Sequence, residues 1–143
     1  TSFLQISDLT ALGTVNGSFS ISLWIRPTNL SGTLVFVSQT PMGSIWCFSF
    51  LGFAANGLIV AQIWTGVARA VFGPAFNTSS TWYHIVQTWS SSNGLRLYVD
   101  GILVASDPLA KPYQASAASN YVTVANRPAN ACAFGAIGSQ TYY

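Results

Sequence analysis

The sequence predicts an all-β sandwich or barrel of antiparallel strands, and three observations carry that expectation. Runs that alternate apolar and polar residues recur along the chain, as in SFSISLWIRP and WYHIVQTW, the pattern of strands with one buried face. About ten such short β-rich runs are separated by Gly, Pro and Asn punctuation. No segment repeats its apolar residues at helical spacing over the length of a helix. Several runs pair an apolar face with a mixed one, as expected when two sheets pack together and keep their outer faces wet.

Each element follows from local chemistry. In SFSISLWIRP, Phe19, Ile21, Leu23 and Ile25 share one face, and Ser18, Ser20, Ser22, Trp24 and Arg26 the other, until Pro27 ends the strand. TLVFVSQ (33–39) reads as a second strand, and Pro41 with Gly43 turns the chain into SIWCFSF (44–50). Asn56-Gly57 is a strong two-residue hairpin signal between FSFLGFAA and LIVAQIW. Thr65-Gly66 leads into VARAVF, which Gly73-Pro74 is expected to stop. WYHIVQTW (82–89) turns through SSSNG into LRLYV, and Asp100-Gly101 supplies a second hairpin turn into ILVAS. DPLAKPYQASAAS (107–119) lacks a strand pattern and reads as a long surface crossing. NYVTVAN and the terminal CAFGAIGSQTYY are expected as the last two strands.

Composition narrows the functional classes. The chain has 143 residues, 50% of them hydrophobic and 14% aromatic, which is one domain with a sizeable core and not a disordered segment. Only 6% are charged: five Lys or Arg against three Asp, with no Glu. The net charge of +2 and the scatter of Arg26, Arg69, Arg96, Lys111 and Arg127 give no basic run, so no nucleic-acid partner is expected. No charge falls between Arg26 and Arg69, and Ile45 to Trp64 is apolar enough for a hydropathy window to register. The Asn-Gly turn in its middle argues for two buried strands instead, because an open hairpin in lipid leaves backbone groups unpaired. No membrane insertion of this domain is expected, and the first residues lack the basic and apolar regions of a signal peptide.

Three stretches resemble the laminin G-like domains of the concanavalin A-like jelly-roll group. SFSISLWIRP is similar to that family's early strand, a Phe-led alternating run that holds a Trp and ends in Pro. TWYHIVQTW followed by GLRLYVDGILVAS resembles its Trp-x-His strand and Tyr-Val-Asp-Gly hairpin, and FGAIGSQTYY its closing strand, through Gly135 and Ile137. The resemblance runs in order over nearly the whole chain and implies a single antiparallel jelly-roll β-sandwich over residues 1–143. TSFLQI begins inside the family's first strand, so a larger parent protein is expected. The resemblance also implies an extracellular, secreted or cell-surface recognition module that binds a glycan or a protein partner. A structural spacer within a larger surface protein is the alternative.

Departures from the family weigh against catalysis. Gly138 and Ser139 stand where many members have Asp-Glu, and a chain without Glu cannot carry the Glu/Asp strand of jelly-roll glycosidases. No enzyme activity is expected. His84 is the one histidine, so neither a histidine metal cluster nor a histidine pair can form, and no Gly-x-Ser-x-Gly elbow accompanies it. His84 is expected as a strand residue whose ring nitrogens are satisfied by neighbours, and Asp100 as a turn residue beside Gly101 and not a ligand. Asp8 and Asp107, placed in loops, offer calcium two carboxylates where it takes six to eight oxygens, so no cofactor is expected and a calcium site would be weak.

The candidate ligand-binding residues are Trp24, Trp64 and Arg69. Indole faces stack on sugar rings, Trp24 lies on the Ser and Arg face of its strand, Trp64 closes a strand, and Arg69 could add a guanidinium fork. Cys47 and Cys132 form an even pair that suggests one disulfide, worth about 4 to 5 kcal/mol in the chain-entropy model, against two buried free thiols. Asn16, Asn29 and Asn77 open Asn-x-Ser/Thr glycosylation triplets in expected loops or turns, which modestly favours secretion.

Overall fold

The computed structural model describes residues 3–78 and 80–138. Among the described residues ten strands form two antiparallel sheets: β1 (Leu4–Leu9), β10 (Asn120–Val124), β3 (Gly32–Ser38), β4 (Cys47–Phe53), β5 (Leu58–Trp64) and β6 (Ala68–Ala75) lie side by side in one. The other holds β2 (Phe19–Ile25), β7 (Tyr83–Ser90), β8 (Gly94–Val99) and β9 (Ile102–Asp107). This is the expected jelly-roll sandwich, and a short 3₁₀ turn at Ala11–Gly13 is the one helical element among the described residues. No helix there is long and apolar enough to cross a membrane.

The core lies between the sheets and is aromatic at its centre. Phe19 of β2 packs edge-on against Phe50 of β4 at 5.4 Å and lies 6.3 Å from Trp89 of β7. Tyr113, fully buried, approaches Phe19 at 5.4 Å and Trp89 at 5.6 Å. It comes from the 107–119 segment, so that segment is more than a surface crossing: Ala110 and Tyr113 plug the sandwich. Trp89 Nε1 donates to the Ala110 carbonyl (2.7 Å), Tyr113 Oη donates to the Leu12 carbonyl, and Asn16 and Tyr113 exchange backbone and amide hydrogen bonds at 3.0 Å. Polar partners inside the core allow the chain to cross there without orphaned backbone groups.

The two sheets treat their outer faces differently. Every residue of β4 is buried, and so are the five central residues of β5, because residues 126–138 cover the outer face of the six-stranded sheet. Phe36, Cys47, Ala131 and Cys132 form a second apolar cluster there, closed by the Cys47–Cys132 disulfide with Cα atoms 6.1 Å apart. Gln62 donates from Nε2 to the carbonyls of Ser49 (2.6 Å) and Phe134 (3.0 Å), and its Oε1 accepts the Ala136 N–H at 2.9 Å. Burial on both faces explains the charge-free stretch between Arg26 and Arg69, since a strand covered on both sides reads as a continuous apolar run.

Several local expectations are corrected. At Asn56-Gly57 only Gly57 has positive φ (80°); Gly57 N–H bonds the Ala54 carbonyl at 2.9 Å, so the turn centres on Ala55 and Asn56. Gly73-Pro74 does not stop β6: Leu58 faces Ala75 and Val60 faces Phe72, so the dipeptide sits in a bulge on an edge strand, where a missing N–H is harmless. β4 starts at Cys47 and not at Ser44, because Ile45 has φ 69° and Thr40 Oγ1 and Gln39 Oε1 capture the N–H groups of Ser44 and Trp46. The closing segment is no strand over 132–138, and its residues 139–143 lie outside the described residues. It is held by side chains, the disulfide and backbone bonds from Gly138 N–H to the Phe53 carbonyl (2.9 Å) and from Cys132 N–H to the Gly43 carbonyl (3.4 Å). Asp8 and Asp107 lie in strands, Asp8 at φ 63° within the irregular pairing of β1. Asp100-Gly101 adopts positive φ at both residues (50° and 80°), as a type I′ turn requires.

Candidate functional site

Among the described residues no such segment covers the outer face of the four-stranded sheet, and strand pairing assembles its surface in rows. Trp24 of β2 lies opposite His84 of β7; the next row runs Ser22, Val86, Tyr98 and Leu103; the next runs Ser20, Thr88, Arg96 and Ser106. Directly paired residues share a face and alternate residues return to it, so these side chains all point outward. From Arg26 to Ser20 this face runs about 20 Å at a rise of ~3.3 Å per residue.

Trp24 is 63% exposed, as its place on the Ser and Arg face predicts. Its ring stacks on His84 at 4.9 Å and 27°, and His84 Nε2 is hydrogen-bonded to Ser22 Oγ at 2.8 Å. The histidine therefore fixes the tryptophan from beside it, and Ser22 fixes the histidine. Asp100 Oδ1 accepts the backbone N–H of His84 at 2.8 Å, so the Ser, His and Asp side chains do not line up as a relay. Just before β7, Trp82 is 56% exposed, and the Arg26 guanidinium lies 5.7 Å from its ring centre. Trp82, Trp24 and Tyr98 thus place aromatic rings along one strip with hydroxyls between them. Such rings offer C–H stacking surfaces, while Ser20, Ser22, Thr88 and Arg96 offer hydrogen-bond donors.

The other two candidates go elsewhere. Trp64 is half-buried between Phe48 (5.8 Å) and Phe134 (5.9 Å) and lines a slot of about 120 Å³ with Ile45 and Trp46. Arg69 pairs with Ile63, which points into the core, while Trp64 pairs with Ala68; the two candidates therefore face opposite sides. Arg69 reaches instead to Asp107 of β9, at 2.8 Å from Nε and 2.7 Å from Nη2, and is no free fork beside Trp64. Trp82, His84 and Tyr98 were missed as ligand-binding candidates, although the phase of WYHIVQTW sets Trp82, His84, Val86 and Thr88 on one face.

Asn16, Asn29 and Asn77 are exposed; Asn16 Oδ1 accepts the Tyr113 N–H at 3.0 Å and Asn77 N–H bonds Tyr83 Oη at 3.1 Å. Ser79, the third residue of the Asn77 triplet, lies outside the described residues. Among the described residues no group of three His, Cys, Asp or Glu gathers that could hold a metal ion.

This sandwich belongs to a known class. The laminin G-type family model of the concanavalin A-like lectin/glucanases superfamily matches residues 1–138, and the chain belongs to that family. A comparison with curated proteins gives no match. A laminin G-like sandwich of this kind is a binding module.

Proposed function

We propose that this domain is a non-catalytic recognition module of a secreted or cell-surface protein and that it binds a glycan across the open face of the four-stranded sheet. The observation that carries the reading is the Trp24 platform: an indole 63% exposed, held in place by His84 and continued by Trp82 and Tyr98. Burying aromatic surface against a sugar ring is favourable, and a ring already fixed by a neighbour loses little freedom on binding. Asp100, opposite His84 at the end of the Trp24 row, is bonded to the His84 backbone N–H, and no second carboxylate joins it in those rows to make the pair that glycoside hydrolysis uses. Binding is proposed to need no metal. The disulfide and the exposed Asn16, Asn29 and Asn77 support an extracellular setting. A glycan array probed with the wild type and with Trp24→Ala tests this: signals that vanish in the variant support it, and an empty wild-type array overturns it.

A second observation favours a protein neighbour at a different place. Ile45, 81% exposed, lines the slot with Trp46, Trp64 and Phe134 and is a β-branched residue at positive φ, and Met42, three residues before it in the chain, is 68% exposed. In that reading the domain is a structural spacer packed against a neighbouring domain. Sedimentation of the isolated chain separates the two: self-association relieved by Ile45→Ser supports packing, and a monodisperse monomer removes it.

A further inference from the structure

The segment that covers the six-stranded sheet stands apart from the rest of the fold. Among the described residues nothing after Val124 belongs to a strand, and the core between the sheets draws its apolar side chains from Leu9 through Val124. The buried cluster beneath the segment is separate and small: Phe36, Cys47 and Ala131, with Cys132 against them. A unit with few buried apolar contacts and no ladder opens while the rest of a molecule stays folded.

The segment nonetheless has one seat. Gln62 donates to the Phe134 carbonyl and accepts the Ala136 N–H, while the carbonyls of Gly43 and Phe53 accept the N–H groups of Cys132 and Gly138. A Cβ at Gly43 would collide with Ala131, and one at Gly135 with the Gln62 amide, so segment and sheet fit closely in a single register. Against these few bonds stands the backbone entropy of ordering the segment, which the Cys47–Cys132 cross-link reduces by pinning its middle to β4. The two cysteines are not equally reachable. Cys47 is 7% exposed, whereas Cys132 is half-buried and is followed by the exposed Ala133 and Phe134. An incoming thiolate therefore meets the bond from the Cys132 side.

We infer that residues 126–138 form a redox-released strap: a dithiol reductant opens the Cys47–Cys132 bond, the strap leaves its seat, and both sheets stay paired. The first thiolate of the reductant bonds to Cys132 Sγ and expels Cys47 as a thiolate; the second thiol then displaces Cys132 and closes the reductant's own disulfide. Two electrons pass from the dithiol to the cysteine pair, and its two protons end on the two cysteine thiols. Without the cross-link, a few hydrogen bonds and one small cluster no longer offset the entropy of the ordered segment. Release bares Phe36, the Gln62 amide and the flank of Trp64 that Phe134 covers. The Trp24 face belongs to the other sheet, so the switch changes one surface of the domain and leaves the other as it was.

Amide exchange of the ¹⁵N-labelled domain, oxidised and after complete reduction with dithiothreitol, tests the inference, with uptake of N-ethylmaleimide at both cysteines confirming the reduction. Reduction is expected to speed exchange at Cys132, Ala136 and Gly138 roughly tenfold or more, to leave β2, β7 and β8 protected, and to be reversed by reoxidation. Cys47→Ser/Cys132→Ser is expected to match the reduced protein with or without dithiothreitol. Unchanged exchange at those amides, in the reduced protein or in the variant, shows a seat that holds without the bond and overturns the inference. Loss of protection across both sheets on reduction makes the disulfide a staple of the whole fold and overturns it as well. The order of attack is read separately: reduction with glutathione, quenched early with N-ethylmaleimide, is expected to leave glutathione on Cys132 and maleimide on Cys47. The opposite labelling overturns attack at Cys132.

Discussion

At the scale of single residues, identity decides what a position does only through its neighbours. Trp24 and Trp64 are the same side chain at strand positions, yet one lies open against His84 and the other is wedged between Phe48 and Phe134. Trp24→Ala is expected to abolish glycan binding with a stability change below about 1 kcal/mol, measured by urea melts alongside the array, because an exposed ring contributes little to folding. Glycines divide in the same way. A Cβ at Gly101 meets nothing within 4 Å, so Gly101→Ala costs only the positive φ, roughly 1 kcal/mol. A Cβ at Gly94 would collide with the Asp107 carbonyl oxygen and Pro108 as well, so Gly94→Ala is expected to cost about 3 kcal/mol or more in the same melts. Tyr113 carries the pH dependence. Burial pushes its hydroxyl pKa well above the ordinary 10.0, so the folded state holds the neutral phenol. That preference is neutral for stability below the unfolded value and costs stability as pH rises from about 10 toward the folded value. Denaturant midpoints should fall over that alkaline range, and Tyr113→Phe should flatten the fall while costing ~1–3 kcal/mol at neutral pH through the unpaired Leu12 carbonyl.

At the scale of elements, the sequence was most legible where one face of a strand is wet. β2, β7 and β8 carry alternating patterns, and the structure buries Phe19, Ile85, Trp89, Leu95 and Leu97 as that phase requires. β5 matches its apolar run because Gly57 and Gly66, both at positive φ, bracket it. Reading failed where contacts other than the ladder decide. Gly73-Pro74 has turn chemistry, but an edge bulge absorbs it. Residues 132–138 have strand-like composition, but a disulfide and the Gln62 amide hold them across the sheet, so no alternation marks them. This covering segment should therefore come loose with its fasteners. Replacing Cys47 and Cys132 by Ser removes a cross-link spanning 85 positions and is expected to lower Tm on the order of 10 °C. Gln62→Leu leaves the Ala136 N–H and the Ser49 and Phe134 carbonyls unpaired, and faster amide exchange at Ala136 should report it.

At the scale of the whole molecule, scarcity of charge becomes a statement about two sheets with different duties. One sheet is buried on both faces over β4 and β5 and anchors the fold; the other presents hydroxyls, aromatic rings and a few cations outward. Trp24 could be found from one strand's phase alone, but its partners could not, since His84 and Tyr98 join it only through the pairing of strands far apart in the chain. Arg69 was misplaced for the same reason: its partner Asp107 lies on the other sheet. A glycan is proposed to bind on the open face of the four-stranded sheet. Mapping amide and indole shifts of the ¹⁵N-labelled domain with its best array ligand tests that directly. The predicted result is that shifts concentrate on Trp24 and Trp82 Nε1, His84, Thr88, Arg96 and Tyr98 while residues 42–46 and 131–137 stay still. Shifts confined to the Ile45, Trp46 and Phe134 slot, with Trp24 unmoved, would contradict it.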